Sequence, residues 1–182
     1  SMYWLPQSVL DADAAAGNRR ERDSVPYSLW VKRGLMRAVP GNKVDKQVML
    51  DWFMELRDED DLYVRYIGYD PWHMRDVPTM EAYEGYFGAD NFKKVIQGAQ
   101  TLSMPMKELR ALYKENRVVD NSNPIAEWCR SNVAVRSDAN GNIAPDKKNQ
   151  DPRNRIDAWA AECDAFVVLK DMMDDFKSMI GG

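Results

Sequence analysis

The run from Leu62 to Tyr69 does most to decide what this chain can fold into. It is apolar, β-branched and aromatic with few breaks, and Asp70-Pro71 stops it. A run of this kind suits a central parallel strand buried on both faces. Pro71 holds Asp70 extended and keeps it from starting a helix. A second anchor, Arg155-Ile156-Asp157, opens a long helical pattern that runs to about Phe176. Its stripe of Ile156, Trp159, Ala160, Cys163, Phe166 and Val167 has helical spacing and predicts a core-facing helix. Strands alternating with helices predict an α/β domain, a mixed or mostly parallel sheet covered by helices.

The remaining elements follow from punctuation. Tyr3 to Pro6 reads as the end of a strand. Asp11 to Asp23, with Gly17-Asn18 inside it, reads as a loop or a short exposed helix. Val25 to Gly34 carries Leu29, Trp30 and Val31, with Gly34 as a helix stop. Leu35 to Val39 is a short apolar segment closed by Pro40-Gly41. Asp45 to Leu56 is helical, and Arg57 to Asp61 is an acidic connector. Pro78 sits in the first turn of a helix that ends near Gly88. Phe92 to Gln97 reads as a strand, Met104 to Asn116 as an amphipathic helix, and Arg117 to Val119 as a short extended piece. Asn123 caps a helix that begins at Pro124 and reaches Cys129. Asn140-Gly141 predicts a hairpin turn between Val133 to Arg136 and Ile143-Ala144.

Composition narrows the function. With 182 residues and 45% hydrophobic content the chain suits one domain with a sizeable core. The net charge of −4 speaks against holding nucleic acid by bulk electrostatics. A local patch survives that argument: Lys147, Lys148, Arg153 and Arg155 crowd the approach to Asp157, partly offset by Asp146 and Asp151. The alternative is a solvated loop. Two cysteines, Cys129 and Cys163, form no metal-like spacing, and a reducing cytoplasm is the simpler context. His73 is the sole histidine, which removes Cys/His zinc sites and speaks against a Ser-His-Asp triad. There is no G-x-x-x-x-G-K-[ST] loop and no apolar stretch approaching the ~20 residues that span a bilayer.

Two aspartates carry the chemistry. Asp70 closes a strand, where ligands collect in open α/β sheets. Asp157 lies in the first turn of a helix, where the dipole favours a carboxylate. Such a pair can hold hard divalent cations, with water and substrate phosphate completing the shell. The alternatives are that Asp70 is a turn residue and Asp157 a helix cap. Further along the same helical face, Ala161 either leaves room for a substrate strand or packs against the sheet. Asp164 reads as a solvated surface residue or as a partner behind the ligands. Asp146 either swings toward the site or pairs with Lys147 or Lys148. Trp72 reads as a packing anchor beneath Asp70.

The chain resembles the nuclease domain of the large terminase subunit of tailed bacteriophages. The likeness runs through Val25-Pro26-Tyr27 with Leu29-Trp30, the Pro40-Gly41 turn, Tyr69-Asp70-Pro71-Trp72, Gln97-Gly98 and Pro105-Met106-Lys107-Glu108. It continues in Asn123-Pro124, Trp128, Ser131-Asn132-Val133, Asp138 to Ile143, Pro145-Asp146-Lys147 and Arg155-Ile156-Asp157. The resemblance implies a ribonuclease H-like fold, a central mixed sheet with helices on both faces. It implies cleavage of double-stranded DNA with Mg²⁺ or Mn²⁺, two ions in all. Asp70 and Asp157 match the second and third of three metal-binding carboxylates. The implied partners are DNA, the small terminase subunit and the portal protein, in the cytoplasm of the bacterial host and with no membrane. Residues 1–182 then form a single nuclease domain. The resemblance implies that its opening strand, with the first carboxylate, and the packaging ATPase domain lie upstream of Tyr3, and Ser1-Met2 separately reads as a cloning remnant.

Two rivals are a resolvase- or transposase-type ribonuclease H-like enzyme and a non-enzymatic docking module. If the first carboxylate is missing, the ions are poorly placed, and a misplacement of about 1 Å costs on the order of 100-fold in rate. The 182-residue chain is therefore expected to cut supercoiled plasmid very slowly or not at all with Mn²⁺. Adding the upstream strand should switch cutting on, and robust cutting by the short chain would show that no ligand is missing.

Overall fold

A computed structural model describes residues 1–16, 25–151 and 153–181. The chain divides into two compact units, Ser1–Met54 and Glu55–Gly182. In the first, β1 (Trp4–Pro6) leads into α1 (Gln7–Ala16) and pairs in parallel with β2 (Arg37–Val39). The Gly17-Asn18 segment lies outside the described residues. α2 (Tyr27–Lys32) stops where Gly34 takes a positive φ of 70°. Leu5, Trp30, Met36 and Leu50 are buried here, and Trp4 meets Trp52 edge-on at 5.8 Å.

α3 (Gln47–Asp60) continues through the stretch expected to be an acidic connector. It ends in a left-handed Asp61, φ 54°, with the Leu62 N–H donating to the Leu56 carbonyl at 2.9 Å. That closure corrects the strand expectation. Leu62 spends its backbone on capping a helix, and Leu62, Tyr63 and Val64 stand 55%, 75% and 37% exposed. The strand proper, β3, is only Ile67–Tyr69.

In the second unit β3 pairs in parallel with β4 (Phe92–Lys94), and the Val95 N–H extends the ladder to the Tyr69 carbonyl. Between them lies α4 (Val77–Phe87), capped by the Asp76 side chain on Thr79 N and stopped at Gly88. The strand's alternation then fixes the site. Tyr69 faces α4, where its ring stacks on Phe92 at 4.0 Å and Phe92 meets Tyr83 at 5.4 Å. Gly68 and Asp70 point the opposite way.

The opposite side is closed by α7 (Asp157–Asp171). α5 (Ala99–Lys114) and α6 (Pro124–Ser131) pack against α7. The main core joins Val95, Leu102, Met106, Leu109, Trp159, Cys163 and Val168. α5 starts five residues earlier than expected and carries Pro105 inside it. Buried Leu102 and Ser103 explain this: the tertiary contacts of that first turn outweigh the cost of an internal proline. The Arg117–Val119 piece is no strand. Asn116 is left-handed, Arg117 N donates back to Leu112 O at 2.9 Å, and Val119 is 96% exposed.

The hairpin forms as expected. β5 (Val133–Ser137) runs antiparallel to β6 (Ile143–Lys147), with Gly141 at φ 76°. Asp146 therefore lies in β6 and not beyond the hairpin. The last helical pattern breaks at Met172, which packs on the core, and resumes as α8 (Met173–Ile180). The fold is mixed α/β with three two-stranded sheets among the described residues, not the single central sheet expected. Strands of three residues, each flanked by a helix, leave little edge for lateral growth.

Gly68 is the tightest point. A Cβ there would stand 2.8 Å from the Asp164 carbonyl oxygen and 2.9 Å from Val168 Cγ2. Gly68→Ala should force α7 away from β3 and cost about 1–3 kcal/mol in urea unfolding. An unchanged midpoint would show that the two elements are not held at this spacing.

Candidate active site

Asp70 follows β3 and is four-fifths buried. Its Oδ1 accepts from the Trp72 backbone N–H at 2.8 Å, and its Oδ2 meets His73 Nδ1 at 2.5 Å. The Asp70 carbonyl accepts from the N–H groups of His73 and Met74. The expected turn geometry is present, and the carboxylate that makes it also faces α7.

The residue it faces is Asp164. Asp164 is only 7% exposed, so the solvated-surface reading is wrong. Its Oδ1 accepts from Gln97 Nε2 at 2.7 Å, and the same amide reaches the Val95 carbonyl at 3.3 Å. Gln97 thus ties the end of β4 to the middle of α7. Burial first, then the negative charge of Asp70, pushes the Asp164 carboxyl up to about 6, against the opposing pull of the Gln97 hydrogen bond. No lysine, arginine or histidine pairs with Asp164 among the described residues. The other sequence reading, a residue behind Asp70, remains, although two features of α7 obscure it in the sequence. Asp164 is flanked by core residue Cys163, and no short-range pattern reveals that β3 crosses at that turn.

Asp157 stands seven residues before Asp164 on the same helix face, about 10 Å along the axis. It is exposed and occupies the first helical position. The cap position belongs to Ile156 and has no side-chain cap bond. Instead the buried Cys129 thiol of α6 lies against the N–H groups of Asp157 and Ala158, with burial raising its pKa overall. Ala161, between the two aspartates, is exposed and does not pack on the sheet.

The basic segment has its own scaffold. Buried Asn132 donates from Nδ2 to the Arg155 carbonyl at 3.0 Å and accepts from Lys148 N at 2.8 Å. Asn154 Nδ2 donates to the Lys148 carbonyl. Arg153 pairs with Asp151 at 2.7 Å, and that hydrogen bond holds the Asp151 carboxyl down at about 2. Arg153 is thus partly neutralised. Asp146 Oδ1 accepts from the Lys147 backbone N–H, so it turns along β6. Trp72 is 66% exposed, which corrects the expectation of a buried anchor. Its ring instead carries the Arg75 guanidinium at 4.0 Å.

Carboxylate oxygens are the donor type a magnesium- or manganese-type ion takes, and here His73 meets one of the Asp70 oxygens. No group of three or more His, Cys, Asp or Glu side chains that could hold a metal occurs among the described residues.

Asp164 also sets a pH dependence. Its folded pKa lies above the ordinary 3.8, so the folded state binds this proton more tightly than the unfolded chain. The stability this supplies is full below about pH 4, is lost as pH rises to about 6, and stays lost above, a swing of about 3 kcal/mol. Asp164→Asn keeps an acceptor for Gln97 and removes the charge. It should raise the melting temperature at pH 8 and change it little near pH 4. Equal shifts at both pH values would remove Asp164 ionisation from the stability of the fold.

Comparison with known proteins agrees with this architecture. Over 170 residues the chain is 28% identical to the terminase large subunit of Enterobacteria phage HK97, covering 87% of this chain and 29% of that protein. Protein YmfN of Escherichia coli strain K12 is 26% identical over 161 residues, covering 87% of this chain and 33% of its own length. The chain thus spans about a third or less of these relatives. The crystal structure of the HK97 bacteriophage large terminase superposes with a TM-score of 0.72 at 24% identity, over 90% of this chain and 32% of that one. The profile of the family described as terminase large subunit, endonuclease domain, matches residues 1–171, and the chain belongs to that family.

Proposed function

We propose that this chain is a metal-dependent endodeoxyribonuclease that cuts double-stranded viral DNA when packaging begins and ends. The observation that supports it best is Asp70. In a chain of this family, a carboxylate at the end of a parallel strand is packed toward the helix that bears Asp157. A ribonuclease H-like arrangement is the finer fold reading, supported by the strand-end position of Asp70 against α7.

In this reading Asp70 and Asp157 hold Mg²⁺ or Mn²⁺. When bound, the ions supply an activated water and neutralise charge on the departing oxygen. Exposed Asp157 offers its oxygens from the solvent side and Asp70 from the strand end. Asp164, held by Gln97, sits behind Asp70 and keeps negative charge at the floor of the site. Lys147, Lys148, Arg153 and Arg155 contact phosphates and position the duplex without reading its sequence. The full-length protein would work with a small terminase subunit and a portal protein in the host cytoplasm.

The test is nicking of supercoiled plasmid by the chain with Mn²⁺, alongside Mn²⁺ binding followed by electron paramagnetic resonance. However slow the nicking, it should require the metal. Asp70→Asn or Asp157→Asn should lower it by at least on the order of 100-fold and weaken Mn²⁺ binding. Full activity and full Mn²⁺ binding in Asp157→Asn would remove the helix-start carboxylate from the chemistry.

The basic segment yields a separate expectation. Replacing Lys147, Lys148, Arg153 and Arg155 with Ala should weaken DNA binding at all sequences alike. The slope of log affinity against log salt should fall by roughly 2–4. An unchanged slope would leave the loop as solvated surface.

A further inference from the structure

We propose that Trp72 and Arg75 form a contact for the DNA strand beside the cut phosphate, with Arg75 on a phosphate and Trp72 against the adjoining sugar or base. This deepens the nuclease reading and rests on it. The argument starts from an unusual exposure. Trp72 shows 66% of its surface to solvent, although a ring of this size is ordinarily well covered. It is also not loose. Its backbone N–H is held by Asp70 Oδ1 at 2.8 Å, and the Asp70 carbonyl accepts from the next two N–H groups. The ring is therefore displayed by a turn whose anchor is the candidate metal-binding carboxylate. Only Pro71 separates them, and two residue steps reach about 7 Å.

Arg75 completes the surface. Its guanidinium lies 4.0 Å from the Trp72 ring centroid, a cation held over an aromatic face. Arg75 is exposed, and no carboxylate pairs with it among the described residues. A planar cation stacked in this way keeps its N–H edges for a phosphate, to which its fork geometry is matched. Aromatic and guanidinium faces together suit a nucleotide, since every base and sugar offers an apolar face next to a charge. An apolar protein partner would leave the Arg75 charge unanswered. A strand whose phosphate sits at Asp70 brings its neighbouring nucleotide over Trp72.

The experiment measures affinity for a fluorescently labelled 20-base-pair duplex by anisotropy, with Ca²⁺ replacing Mg²⁺ so that nothing is cut. The chain is compared with Trp72→Ala, Trp72→Phe and Arg75→Ala. Trp72→Ala should weaken binding roughly tenfold, and Trp72→Phe should recover most of it. Arg75→Ala should reduce the salt slope by about one. Circular dichroism and melting temperature should stay unchanged, because both side chains are exposed, and Mn²⁺ binding should be retained. If the parent chain binds the duplex and Trp72→Ala binds equally well, the contact does not exist. If the parent chain binds no DNA at all, the nuclease reading itself fails, and this proposal with it.

Discussion

The approach of α7 to β3 across Gly68 is the constraint on which the site depends. A side chain at Gly68 would meet the Asp164 carbonyl and the Val168 methyl at under 3 Å, so only glycine lets helix and strand lie this close. That proximity brings Asp164 under Asp70. It also lets Cys163 reach 0% exposure and Val168 4% within the core. On the other face of the same strand, the stacked Tyr69 and Phe92 rings prevent the strand from turning over. One glycine and one aromatic pair thus decide which way the Asp70 carboxylate points.

α7 is held on more than one side. Its start is met by Cys129, and the residue before its cap is held through the Arg155 carbonyl by Asn132. Its flank carries Glu162, which takes the Tyr113 hydroxyl and an ion pair from Arg130 at 3.6 Å. Arg130 in turn donates to the Tyr113 hydroxyl and pairs with Asp120, both at 2.9 Å. These partly buried charges answer one another across α5, α6 and α7 and fix the rotation of the helix. Asp164 on the same helix is answered only by a neutral amide. The fold thus satisfies the charges that hold the scaffold and leaves uncompensated the one beside Asp70. That contrast sets Asp164 apart from an ordinary structural carboxylate.

Much of this was legible in the sequence, and the misses share a cause. Signals carried by local chemistry were read correctly: the Asn123 cap, whose Oδ1 accepts from Ile125 N, the hairpin at Gly141, and the helix stops at Gly34 and Gly88. The strand at Leu62 was overestimated because apolar character alone cannot reveal that Leu62 closes a helix. Trp72 was read as buried because a tryptophan beside a strand is ordinarily core, and only the tertiary structure reveals an open turn. A position for Asp164 behind Asp70 was one of two sequence readings, but its pairing with Gln97 was not legible. The two residues lie 67 positions apart in the chain, and their hydrogen bond exists only once β4 and α7 are docked.

The unequal burial of the two α7 aspartates divides their roles. Asp157 is exposed in the first turn and open to water. Asp164 is 7% exposed and anchored by Gln97, so it cannot leave its place to follow a substrate. A carboxylate that is fixed and shielded acts through its field. Near neutral pH, with its pKa raised to about 6, it is largely ionised and adds negative potential where Asp70 already contributes. In the reading proposed above, such a field would favour a divalent cation beside Asp70, whose carboxylate also meets His73 Nδ1 at 2.5 Å.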